Sequence, residues 1–197
     1  GQLISRAAEQ GAAAILLGIG GSATNDCGTG ALEGMGIIYY DRELQAIKTI
    51  TPENWKNLGS LGGTTHLDPH FPPIRIACDV RDPLLGTQGA THVFGPQKGL
   101  KAEDRDRMER LMRKIASRIL GLFGHPVESW DELMQEPGSG AAGGIGFALK
   151  AALKDVRFVH GFELVSAWLN IQDRLHDTDY VITGEGRLDE SSLQGKG

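Results

Sequence analysis

Two glycine-bearing stretches carry the residues of this sequence that could do chemistry. The later one, GEGRLDESSLQGKG over 184–197, sets Glu185, Arg187, Asp189 and Lys196 directly behind an apolar run. Guanidinium and ammonium groups hold anionic oxygens, while a carboxylate binds Mg²⁺ or accepts a proton. Both charge signs on one glycine-rich loop is what phosphoryl transfer asks for. The competing reading is a salt-bridge cluster with Asp189 or Ser191 capping a helix.

The earlier stretch, ILLGIGGSATND over 15–26, ends an apolar run in Gly20, Gly21, Ser22, Thr24, Asn25 and Asp26. Glycine behind a strand lets the backbone approach a ligand, and amides exposed ahead of a helix form an anion site. Ser22 and Thr24 add hydroxyl donors. Asn25 and Asp26 either orient substrate hydroxyls or a metal, or cap the following helix. Asp79, at the end of PIRIACDV, and Lys98, in the turn GPQKG, are second-tier candidates, since each is also an ordinary turn residue.

Two other assignments of the first loop differ in chemistry. No Gly-Lys-Ser/Thr follows Gly18 at the distance a Walker A loop needs. Gly18, Gly20 and Ala23 do match G-x-G-x-x-A, with Asp41 closing the next strand candidate, which is the pattern of an NAD(P)-dependent oxidoreductase. Asn25, Asp26, Gly28 and Gly30 count against it, because they would riddle the first turn of the required helix with poor helix formers. A non-catalytic domain that binds a small anion or another chain is a third possibility.

Elements must position these loops. The chain has 197 residues, 40% hydrophobic and 23% charged, a composition that supports a buried core. A net charge of −5 with no Lys/Arg run argues against nucleic acid and acidic membranes as partners. Two cysteines without metal spacing suit a reducing cytoplasm, and no apolar run approaches a membrane span. The six histidines show no metal-ligand pairing.

The pattern predicts a helix over 2–10, strands at AAAILLGIG, IIYYD, PIRIACDV, THVFG and DYVIT, and a loop from 43 to 71 with one turn at Trp55. It predicts an amphipathic helix over 102–120 and another over 161–175, the latter burying Phe162, Val165, Trp168, Leu169 and Ile171. GSGAAGGIG repeats the theme of glycines leading into a helix. Strands alternating with helices give an α/β fold: a largely parallel or mixed sheet, flanking helices, and glycine-rich loops at strand ends. Ligands then sit beyond the carboxyl ends of the strands, so the residues past Gly18, Val80, Phe94 and Thr183 should share one edge.

In order along the chain, GIGGSATND, ACDVRDPLLGTQGATHVFGPQKG, GSGAAGGIG and GEGRLD with a following GK resemble the type I glycerate kinase family. The resemblance implies a two-domain α/β kinase with its active site in the cleft, transferring the γ-phosphoryl of ATP to a hydroxyl of D-glycerate with Mg²⁺. It further implies that residues 1–197 are one α/β domain from the interior of a longer chain. Residues 1–30 and 178–197 would then lie at the hinge or against the missing second domain. On that basis Asp189 is the base or Mg²⁺ ligand, Arg187 clamps the glycerate carboxylate, and Lys196 serves the transferring phosphate. Asp26 joins them, and Gly20, Gly21, Ser22, Thr24, Asn25, Asp79, Lys98 and Glu185 line the substrate and phosphate site. The chain departs from the family at Cys27, which replaces the glycine that a positive φ there would favour, at Asp82, and at Ser191.

Overall fold

The apolar run ending in Gly18 forms strand β1 (Ile15–Gly18), and the alternating IRIA forms β4 (Ile74–Ala77). Together with β5 (Val156–Val159) they make a parallel sheet ordered β1-β4-β5, with Ile15 opposite Ile74 and Ile74 opposite Val156. The structure is a computed structural model that describes residues 1–63, 70–182 and 184, so Glu185, Arg187, Asp189 and Lys196 lie outside the described residues.

Period-two patterning decides which face of this sheet is covered. Ile74 and Ile76 are wholly buried against Ile4 of α1 (Gln2–Glu9), Met35, and Leu149 of α6 (Ile145–Ala152). The opposite face carries Leu16, Arg75 and Arg157 in register, with Leu16 55% exposed and Arg75 paired to Asp155 at 2.8 Å. Parallel sheets usually have both faces covered; among the described residues this one is covered on one.

A second core lies on the other side of α6. It holds Phe147, Ala148 and Ala151 of α6 with Met112, Ile115, Ala116, Ile119 and Leu120 of α4 (Arg105–Leu122). Helix α2 (Thr29–Gly34), the antiparallel pair of β2 (Ile38–Asp41) with β3 (Leu58–Gly62), and α5 (Trp130–Gln135) complete it. Its largest wholly buried side chains are Trp55 and Tyr39, and the Tyr39 hydroxyl donates to the Thr29 carbonyl at 3.0 Å. Burial and nearby carboxylates push that phenol far above its ordinary value.

Five expectations need correction. THVFG is not a strand but helix α3 (Ala90–Phe94), opened by Gly89, whose carbonyl accepts from His92 N and Val93 N. The presumed loop from 43 to 71 contains β3, and β5 was not anticipated. The helix expected over 161–175 is two, α7 (Gly161–Leu169) and α8 (Ile171–Leu175), broken where Asn170 turns to φ +51°. Its apolar stripe is not core: Phe162, Val165, Leu169 and above all Trp168 are exposed. The described part of DYVIT, residues 179–182, joins no described strand and is exposed.

Candidate active site

The carboxyl ends of β1 and β4 open on a crevice of about 340 Å³, lined among others by Gly20, Gly21, Ser22, Asp79, Lys98 and Ala142. Three of the four expected loop ends therefore do share one edge, and the fourth, at Thr183, is outside the described residues. A side chain on Gly20 or Gly21 would meet nothing within 4 Å, and Gly21 sits at φ +71°. Internal packing therefore leaves the space over both residues empty, and their backbone borders open crevice. The glycines of GSGAAGGIG behave oppositely. A side chain at Gly140 would run into the Pro83 carbonyl, one at Gly143 into the Thr24 carbonyl, and one at Gly146 into the Phe158 ring. That motif is the floor on which the first loop rests.

Lys98 ties the edge together. The turn Pro96–Lys98 follows α3 and is closed by Gly99 at φ +89°. The turn carries the ammonium back to the first loop, where Nζ donates to Ser22 Oγ at 2.8 Å and to the Thr24 carbonyl at 2.6 Å. The Phe94 ring lies 5.9 Å from Nζ, within cation–π range. Partial burial pulls the Lys98 pKa below the ordinary 10.5, against the opposing pull of the Asp26 carboxylate. Ser22 and Thr24 are thus joined to Lys98, the latter through its carbonyl rather than its hydroxyl.

The carboxylates are less free than their types suggest. Asp26 Oδ1 accepts from Gly28 N at 3.1 Å and Oδ2 from Gly30 N at 2.9 Å, while the Asp26 carbonyl accepts from Thr29. This is the capping role for α2. It holds a backbone in which Cys27 takes φ +56° despite its Cβ, with its N–H on the Gly143 carbonyl at 2.8 Å. Asp26→Ala is expected to cost about 1–2 kcal/mol of stability, read as a lower urea midpoint with an unchanged slope. Asp79 Oδ1 accepts from Gly161 N at 2.7 Å at the start of α7, with His160 Nδ1 4.0 Å away. Among the described residues no three His, Cys, Asp or Glu side chains gather as a metal site.

A family model described as the glycerate kinase family matches residues 1–197. The chain belongs to the glycerate kinase family. It is 38% identical over 207 residues to the Glycerate 2-kinase of Escherichia coli (strain K12), and 38% over 208 residues to the Glycerate kinase of Halalkalibacterium halodurans, covering all of this chain and half of each relative. A solved structure from Salmonella typhimurium LT2, assigned to glycerate kinase 2, superposes with a TM-score of 0.78 at 36% identity, over 99% of this chain and half of its own. The chain thus spans about half the length of the relatives it matches.

Within this glycerate kinase family chain, the geometry of a dinucleotide fingerprint is missing. Helix α2 begins only at Thr29, and β2 pairs with β3 in a separate sheet rather than beside β1. Asp41 spends its Oδ1 on the amides of Glu43 and Gln45, both at 2.9 Å. The NAD(P) reading therefore loses its support. Three residues of the site were not anticipated. Thr91, wholly buried, accepts from Asn25 Nδ2 at 3.4 Å, while the buried Asn25 Oδ1 has no hydrogen-bond partner among the described residues. Phe94 and Gln97 line the crevice, and their presence in VFGPQK beside Lys98 was the available signal. No described helix is long and apolar enough to cross a membrane.

Proposed function

We propose that this chain is half of a cytoplasmic kinase that transfers the γ-phosphoryl of ATP to a hydroxyl of D-glycerate. The observation that carries the reading is the pairing of one cation, Lys98, with the open backbone of Gly20 and Gly21 at the carboxyl edge of a parallel sheet. Open glycine backbone and an ammonium bordering one crevice suit oxygens of a phosphoryl group, whose transfer depends mainly on positioning and charge stabilisation.

Lys98 uses two of its three protons on Ser22 and Thr24, leaving one for a ligand oxygen. A Mg²⁺ that arrives on the nucleotide phosphates needs one or two protein oxygens. When bound it would neutralise phosphate charge, and Asp189 is the carboxylate that would hold it. Arg187 is assigned to the glycerate carboxylate, Lys196 to the transferring phosphate and Glu185 to the lining of the substrate and phosphate site. The remaining length of the relatives supplies the facing wall of the cleft.

The test uses the full-length protein with Mg-ATP and D-glycerate, following ADP release and the phosphorylated acid. Gly20→Ala should leave thermal stability unchanged, since a Cβ there meets no protein atom, yet lower kcat/KM about tenfold or more by intruding on the ligand. Absence of ATP-dependent phosphorylation of glycerate, with a saturable signal on titrating NADH, would refute the assignment.

A further inference from the structure

A second cavity, of about 450 Å³, lies across the first loop from the crevice, and Lys98 belongs to the walls of both. Its character differs. Ile50, Pro52, Leu100 and Met108 supply apolar wall, while Asn25, Asp26, Thr51 and Glu53 supply polar groups. The volume is within the range of ligand pockets, and an apolar lining with a few placed acceptors is their usual composition.

From this we infer that the cavity between Pro52 and Met108 receives the nucleoside end of the nucleotide, with the phosphates passing Lys98 into the crevice over Gly20 and Gly21. The inference rests on the kinase reading and divides that site between its two substrates. Charge decides the direction. Besides Lys98 the cavity presents the carboxylate of Glu53, whose ionised form the Thr51 hydroxyl favours, and that of Asp26, whose oxygens the Gly28 and Gly30 amides already hold. An anion placed here would meet the Glu53 carboxylate and would leave the partly exposed Pro52, Leu100 and Met108 uncovered. A purine ring covers them, and ribose hydroxyls can donate to carboxylate oxygens. A small hydroxy acid can donate as well, but it is too small to cover the apolar wall and brings its own carboxylate towards Glu53. In the crevice, Lys98 and the open backbone of Gly20 and Gly21 face, among the described residues, Asp79 as the one acidic side chain of the lining, and that carboxylate is engaged by the Gly161 amide.

The test compares two inhibitors of the full-length kinase that share phosphate chemistry but differ in the nucleoside. Met108→Trp, which fills the cavity, should raise the dissociation constant of ADP about tenfold or more, while that of inorganic pyrophosphate and the KM of D-glycerate stay within about twofold. Met108 also packs partly against the α4 core, so Pro52→Trp is the second variant and should act alike if the first does not fold. A rise in the glycerate KM with ADP unaffected would place the acid here and overturn the inference, as would equal weakening of ADP and pyrophosphate. Because ADP and pyrophosphate binding are read calorimetrically without turnover, a protein that binds ADP as described but phosphorylates no glycerate defeats only the assignment of function.

Discussion

Lys98→Met in the full-length kinase should lower kcat/KM about 10²- to 10³-fold while the protein remains folded. Removing one preorganised donor from a site of developing negative charge costs a factor of this size, and the Lys98 ammonium also orders the loop on which it acts, through Ser22 Oγ and the Thr24 carbonyl. Lys98→Arg should recover only part of the loss, because a planar fork does not reproduce a point charge that bonds a hydroxyl and a carbonyl together. The pH dependence has a definite sign. Burial holds the Lys98 pKa below 10.5, so between that lowered value and 10.5 the folded protein binds fewer protons than the unfolded one. Stability of the unliganded fold therefore gains from this residue as pH rises through that window. Anion binding needs the protonated form, so affinity for pyrophosphate should fall over the same window in wild type and show no such fall in Lys98→Met. An identical alkaline profile in the two proteins, by calorimetry, would separate Lys98 from the anion.

Much of this arrangement could be read from residue types. The glycines behind β1 and the run IRIACDV announced two strand ends, and GPQKG announced a cation in a turn. What the residue types left open was the difference between glycines that make room for a ligand and glycines that make room for the chain. Gly20 and Gly143 are the same residue in similar company. Only the neighbouring atoms distinguish open crevice from the Thr24 carbonyl. Asp26 poses the same problem: a carboxylate after Ser, Thr and Asn serves a cap or a substrate equally well until the amides of Gly28 and Gly30 are seen to hold both of its oxygens.

The misread elements share a cause, which is that tertiary context overrides strand propensity. THVFG has the composition of a strand, yet the segment folds as α3 with Thr91 wholly buried. LGSLG has the composition of a loop, yet it pairs with β2. Gly59 is required there because a side chain would run into the Asp41 carbonyl, beside the irregularity in the ladder at Tyr40 and Asp41. In the case of α7, periodicity identified a helix correctly but could not say what its apolar side faces.

Gly143→Ala should be among the most damaging single-methyl changes in the chain, with a loss of about 3 kcal/mol or more. Two independent costs combine. Gly143 sits at φ +74°, where a Cβ costs about 1–2 kcal/mol. The added atom would also overlap the Thr24 carbonyl oxygen and press on Asn25 Cα, both backbone atoms that cannot rotate aside. Relief requires the first loop to lift from its floor, and lifting breaks the bond from Cys27 N to the Gly143 carbonyl. The same Thr24 carbonyl accepts from Lys98, so the displacement reaches the site. Loss of stability and loss of activity should therefore appear together, unlike Gly20→Ala, where activity alone falls. The check is a pair of measurements on the full-length protein, the denaturant midpoint and kcat/KM. A Gly143→Ala protein with a midpoint like wild type would mean that the GSGAAGGIG segment does not support the SATND loop in the way its contacts require.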